Sequence, residues 1–223
     1  MKYRIYLIFF LFIERVKIVM IKGNKISLRP VELSDDVLLQ SLFNEPTVSQ
    51  HVVGWSFPVS LHSQKKWIEN QESNSSSNFR FVIVDNESGK GIGITGLWEI
   101  DLHNGSATSG IKILADYTKS GLGTETIKLV TAWSFYSVGL RRLVAPILDF
   151  NGPSLGLYMK KCGWRLEGRQ REAIFRKGEW HDLYSVAILK GEFDAQPDAI
   201  EFINVVCPVD TTPNIDINFQ DYI

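Results

Sequence analysis

Between Lys25 and Lys190 the apolar positions switch between helical and alternating spacing, and each switch marks an element. Lys25-Ile26-Ser27-Leu28-Arg29-Pro30 alternates and predicts a strand. Ser34-Asp35-Asp36 then offers a polar helix start, with acids at the positive end of the dipole, ahead of Val37, Leu38, Leu39, Leu42 and Phe43; Pro46 closes it. A second helix is expected after Ser60, carrying Leu61, Trp67 and Ile68 and ending in a polar loop over 73–78. Residues 79–84, 91–100 and 108–114 read as strands whose short connections imply an antiparallel meander. Residues 121–138 form a helix with Leu122, Ile127, Leu129, Val130, Trp133 and Tyr136 as its apolar set, stopped at Gly139. A buried strand over 142–148 follows, then a short helix over 153–162. That helix has Leu155, Tyr158, Met159 and Cys162 on one stripe. A hairpin of 164–175 and 182–189 over Lys177-Gly178 closes the pattern. The fold class this order predicts is α+β, with a mixed, mostly antiparallel sheet flanked by helices.

Both ends differ from this middle. Residues 1–19 carry Lys2, Arg4, Arg15 and Lys17 against Glu14, a net of +3, around an apolar run from Ile5 to Ile13. The run is too short to span a bilayer, and no small-residue cleavage site follows it. The expectation is an N-terminal extension upstream of a start at Met20, with an amphipathic anchor or a signal as alternatives. Residues 191–223 hold seven acids and no Lys or Arg, a net of -7, and three prolines, the composition of a weakly ordered acidic appendage. The domain is therefore expected over 20–190. A whole-chain charge of -1 provides no basic field for nucleic acid. A membrane partner is not expected either, and the cytoplasm is the expected location.

Several motifs dissolve on inspection. Gly91-Ile92-Gly93-Ile94-Thr95-Gly96 matches a dinucleotide fingerprint in letters, but it lies inside a strand with no helix opening after it. Glycines at a bulge or a close backbone approach explain it better. The four histidines show no metal-binding pair spacing, so no metal is expected. Cys162 sits on an apolar stripe and reads as core.

The informative stretch is Asp116 to Glu125, where a strand ends, a turn holding Gly121 and Gly123 follows, and a helix begins. Free N–H groups at such a start make an anion site suited to a pyrophosphate, although an ordinary strand-to-helix turn has the same outline. Some thirty residues on come Asn151, Ser154, Tyr158, Lys160 and the pair Gly163-Trp164. Together these resemble the GNAT superfamily of N-acetyltransferases, in its RimL-like and spermidine-acetyltransferase-like branch, over roughly Lys25 to Lys190. In the family the later segment reads N-x-x-S-x-x-x-Y-x-K-x-G-(F/W), and here the Gly-Trp pair falls one residue late.

The resemblance implies an acetyl-CoA-dependent N-acetyltransferase that moves an acetyl group to a primary amine by direct attack on the thioester. It implies that Lys119, Ser120, Gly121, Leu122, Gly123 and Thr124 hold the pyrophosphate and that Ile111 and Ile113 position the pantetheine arm through their main chain. Asn151 and Ser154 would contact the cofactor or cap the helix that follows. Tyr158 would protonate the leaving thiolate, with a core tyrosine on the apolar stripe as its plain alternative. Glu99 is the best-placed carboxylate for a proton acceptor, with a solvated strand charge as its plain alternative. The pattern leaves open whether Glu99 or Trp98 faces the cleft. Three departures stand out: Lys119 where the branch often has Gly, and, bearing more directly on activity, Thr118 where the family usually has Gln or Arg and Thr108 where relatives often carry Glu. The two threonines support a second reading, a catalytically degenerate acyl-CoA-binding or regulatory protein. The missing Glu also tilts the acceptor toward an easily deprotonated α-amine over a polyamine or aminoglycoside. An α-amine of pKa ~7.8 is about 14% neutral at pH 7, a lysine-like amine about 0.04%. A homodimer is compatible with the family.

Overall fold

A computed structural model describes residues 21–54, 58–70, 77–118 and 120–208. The expected N-terminal extension, Met20, Trp55, Lys119 and residues 209–223 lie outside these. Among the described residues eight strands form a single sheet. They are β1 (Ile21–Lys22), β2 (Ile26–Pro30), β3 (Asn78–Asp85), β4 (Gly91–Asp101), β5 (Ser106–Ile113), β6 (Arg142–Leu148), β7 (Arg165–Arg176) and β8 (Glu179–Leu189). Their order is β1-β2-β3-β4-β5-β6-β8-β7, antiparallel throughout except for β5 beside β6. The parallel pair arises because the crossover between those strands is a helix, which returns the chain to the starting edge.

The helices are α1 (Asp36–Asn44), α2 (Pro46–Ser49), α3 (Leu61–Glu69), α4 (Leu122–Tyr136), α5 (Gly152–Leu155), α6 (Lys190–Asp194) and α7 (Ala199–Val206). Ser60 caps α3 by accepting from Ser63 N at 3.1 Å. Pro46 ends α1 as expected but also opens α2, where a proline at the first turn loses no backbone bond. A large core lies between the sheet and α4, with Ile26, Leu28, Ile83, Ile92, Leu97, Ile127, Leu129 and Leu143 all fully buried. A small second core of Leu39, Leu42, Ile68 and Ile94 lies under α1 and α3 on the opposite face. A buried ion pair fastens α1 to β2, with Arg29 Nη1 and Nη2 donating to Asp35 at 2.7 and 2.6 Å.

The acidic C-terminal stretch, expected to be weakly ordered, is helical as far as Val206. Phe193 and Ala199 are buried against the large core, and Phe202, Ile203 and Val206 pack on it. Three of the four acids in the described part of this stretch are ion-paired: Asp198 with Lys128, Asp194 with Lys190 and Glu192 with Arg165. This packing explains why α4 is buried on its polar side as well. Thr126, Thr131 and Ser134 satisfy themselves by donating to the carbonyls four residues back, at 2.8, 2.7 and 2.6 Å. Among the described residues no helix is long and apolar enough to cross a membrane.

Candidate active site

Strands β5 and β6 pair only from Ser106–Thr108 to Arg142–Val144 and then part. The wedge between them opens into a cleft of about 1420 Å³, larger than an ordinary small-ligand pocket of ~300–1,000 Å³. Backbone parity decides what faces it. Leu114 N donates to Ile92 O at 2.9 Å, and the register is unbroken from Gly93↔Ile113 to Trp98↔Thr108. Alternation therefore turns the N–H and C=O groups of Gly110 and Lys112 toward β4 and those of Ser109, Ile111 and Ile113 toward the gap. Ile111 and Ile113 also line the cleft.

The glycine turn forms one end. Gly121 adopts φ 86°, a left-handed conformation that glycine takes without a Cβ penalty, and it stands directly before α4. No side chain caps this start. The first bonds inside it run from Thr124 N and Glu125 N to Gly121 O, at 3.1 and 3.2 Å. The N–H groups of Leu122 and Gly123 ahead of them remain available to an anion, with the helix dipole behind them. Ser120 and Gly121 are exposed, Gly123 and Thr124 half-buried, and Leu122 turns its side chain into the core. Ser120 Oγ donates to Tyr117 O at 3.0 Å, and Thr118 Oγ1 to Ala115 O at 2.8 Å, so Thr118 fastens the preceding turn. Lys25, which the sequence pattern does not single out, reaches the turn from beyond β1, its Nζ 3.5 Å from Ser120 O, and Lys160 and Lys161 line the same cleft. The only sequence signal for Lys25 was a charge at a strand start. A hundred residues separate it from Glu125, whose carboxylate accepts from Lys25 N at 3.0 Å.

Tyr158 stands on a π-helical turn, Gly156–Lys161, that continues α5. Its signature is the bond from Cys162 N to Leu157 O at 3.0 Å, five residues back. The wide turn absorbs the one-residue delay of Gly163-Trp164 noted in the sequence. It also rotates Met159 out of the predicted apolar stripe, leaving it exposed, while Tyr158 and Cys162 stay buried. The Tyr158 ring is core, edge-on to Trp164 with centroids 4.8 Å apart. Its Oη and Ser109 Oγ interact with each other but make no hydrogen bond of good geometry to any described residue; both residues line the cleft. Burial pushes the phenol pKa upward, which keeps the hydroxyl protonated. Cys162 beneath the turn is an inert thiol, pushed up to about 12 by burial.

Asn151 is buried and fully engaged: its Oδ1 accepts from Ser154 N at 3.2 Å and its Nδ2 donates to His51 O at 3.0 Å. It therefore acts as a cap and as a tie to the segment after α2, and Ser154 is half-buried at the cleft wall. Of the two candidates on β4, Trp98 faces the main cleft. Glu99 is exposed, held at φ 52° on a bulge, and accepts from Thr108 Oγ1 at 2.9 Å. Glu99 opens onto an adjoining recess of about 300 Å³ that shares Val53, Trp98 and Pro146 with the cleft. The glycines of β4 have a structural cause: a Cβ on Gly93 would stand 2.3 Å from Lys112 O.

Residues 25–165 match the acetyltransferase (GNAT) domain family. An SPbeta prophage-derived uncharacterized N-acetyltransferase of Bacillus subtilis is 26% identical over 172 residues, covering 77% of this chain and 94% of the relative. Among solved structures, a spermidine N-acetyltransferase from Vibrio cholerae in complex with CoA and spermine superposes with a TM-score of 0.70 at 23% identity, covering 76% of this chain and 98% of that one. RimL, a ribosomal L7/L12 alpha-N-protein acetyltransferase in complex with CoA, superposes at 0.69 with 16% identity, covering 77% and 97%.

Proposed function

Since the chain belongs to the acetyltransferase (GNAT) family and is an N-acetyltransferase, we propose that it takes acetyl-CoA as co-substrate and acetylates a primary amine, an α-amine in preference to a polyamine. The observation that carries this reading is the uncapped, glycine-lined start of α4 at one end of a cleft whose floor holds the hydroxyls of Tyr158 and Ser109, which face each other and make no well-formed hydrogen bond to any other described group. These residues fit the co-substrate: amides without internal acceptors suit a diphosphate, and buried hydroxyls without a well-formed hydrogen bond suit a thioester's polar atoms. Lys25 adds the positive charge that Thr118 lacks. The main-chain groups of Ile111 and Ile113 align the arm along β5, and an N–H on that edge can donate to the oxygen that gains charge during attack, worth ~3 kcal/mol in acyl-transfer sites.

Tyr158 is the acid in this reading: a protonated phenol on the cleft floor gives its proton to the departing thiolate sulfur. Glu99, facing the adjoining recess, takes the proton shed by the attacking amine. Its help is modest, in keeping with an acceptor that is already partly neutral at pH 7. The test is release of free CoA on an amine panel with wild type, Tyr158→Phe and Glu99→Gln. Tyr158→Phe is expected to lower kcat by about 10²-fold or more, with acetyl-CoA affinity kept. Rates equal to wild type at every pH would remove Tyr158 as the acid. Micromolar CoA binding without turnover on any amine would instead favour a binding or regulatory protein.

A further inference from the structure

Among the described residues the acceptor end of the cleft carries positive charge with no carboxylate to answer it. Arg80 on β3, Gly96 on β4 and Gly110 on β5 share one cross-strand row, and Ile94 and Lys112 form the next row on the same face. Both cations line the main cleft, together with Phe43, Trp67, Ile94 and Trp98. Each is held by an aromatic ring. Arg80 lies over Trp98, 4.9 Å from its centroid, and Lys112 Nζ lies 3.8 Å from the Phe43 centroid. Arg80 Nη1 donates to Leu97 O at 3.0 Å. Neither has a carboxylate partner among the described residues, although seven other Lys and Arg side chains there do pair with one. Rings orient a cation without cancelling its charge. The acids at the cleft wall, Glu125 and Asp198, are already engaged by Lys25 N and Lys128. The site is also built to stay this way, because a Cβ at Gly110 would stand 2.3 Å from the Trp98 ring and push it off the strand.

We infer that the acceptor is an acidic amine, one that carries a carboxylate close to the amine it presents, and that Arg80 and Lys112 bind that carboxylate. The inference rests on the N-acetyltransferase reading for its amine and on the two cations for its charge. A chain terminus followed at once by an acidic residue has this chemistry. A polyamine has the opposite one, since it would bring several positive charges against two desolvated cations. Burial, and then the Arg80 charge, push Lys112 down to about 8, as expected of a cation that lacks its counter-charge.

The experiment compares kcat/KM with acetyl-CoA at pH 7 for three tripeptide amides, Ala-Glu-Ala, Ala-Gln-Ala and Ala-Lys-Ala, and for spermidine. Tryptophan-fluorescence titrations of the same four amines without acetyl-CoA run alongside. The Glu peptide is expected to exceed the Gln peptide at least tenfold, the Lys peptide to fall below both, and spermidine to be poorest. Arg80→Gln and Lys112→Met should each shrink the Glu-to-Gln ratio severalfold, and together bring it near one. Spermidine or the Lys peptide matching the Glu peptide would overturn the inference, as would a ratio unchanged in the double variant. Turnover of all four without charge preference sinks the inference and leaves the enzyme reading intact. Absence of turnover with tight, charge-selective peptide binding does the reverse.

Discussion

Replacing Lys112 by methionine should make the protein more stable while spoiling its acceptor site. Lys112 is pushed from a lysine's ordinary 10.5 down to about 8, first by burial and then by Arg80. At ~1.4 kcal/mol per tenfold in the proton equilibrium, holding this ammonium charged in the folded state costs about 3 kcal/mol. The Phe43 ring returns about 1–2 kcal/mol of cation–π attraction, which the variant loses. Methionine fills a similar volume beside Phe43 and Ile94, so the net gain is about 1–2 kcal/mol, or about 3–6 °C in Tm for a chain of this size. The sign of its pH dependence follows from linkage. The folded pKa lies below the unfolded one, so the unfolded chain binds more protons between about 8 and 10.5, and wild-type stability rises across that window. The variant's advantage is therefore full below pH 8, shrinks as pH climbs toward 10.5, and is absent above it. Paired thermal melts of wild type and Lys112→Met at pH 7 and pH 9.5 measure it. A variant that melts lower at pH 7, or a difference that does not narrow at pH 9.5, would refute the claim that this half-buried cation has no counter-charge among the described residues.

Tyr158→Phe should leave the fold as stable as wild type or raise it by up to about 1 kcal/mol, because the lost hydroxyl has only the Ser109 hydroxyl beside it and no well-formed hydrogen bond. A stability gain alongside a fall in kcat separates a proton donor from a packing tyrosine. Gly121→Ala forces a Cβ into φ 86° with nothing nearer than Lys25 Nζ at 3.5 Å, so its cost is backbone strain of about 1 kcal/mol. It should appear as a raised KM for acetyl-CoA with little change in the KM of the amine. Asp35→Asn leaves the Arg29 guanidinium buried without its charge partner and should lower stability by about 3–5 kcal/mol in urea melts. Arg29→Met combined with Asp35→Leu should recover most of that loss.

Element boundaries were legible because periodicity is a local property: the 142–148 strand matches β6, and the helix expected from Ser60 starts at Leu61 under a serine cap. The glycine turn was legible for the same reason, since a left-handed residue before an amphipathic run is a short-range signal. The π turn was half legible, as a motif one residue too long whose consequence for Met159 needed the backbone. The acidic C-terminal helices were misread because composition counts charges without their partners, and Lys128 and Lys190 lie far back in the chain or across a turn. Which edge of β5 faces the gap, and why Trp98 rather than Glu99 turns into the cleft, depends on strand pairing and on a bulge. Likewise Arg80 and Lys112 are ordinary strand charges in the sequence. They became a charged acceptor wall only when three strands set them on one face and two rings held them, because burial and missing counter-charges arise from long-range packing and not from neighbours along the chain.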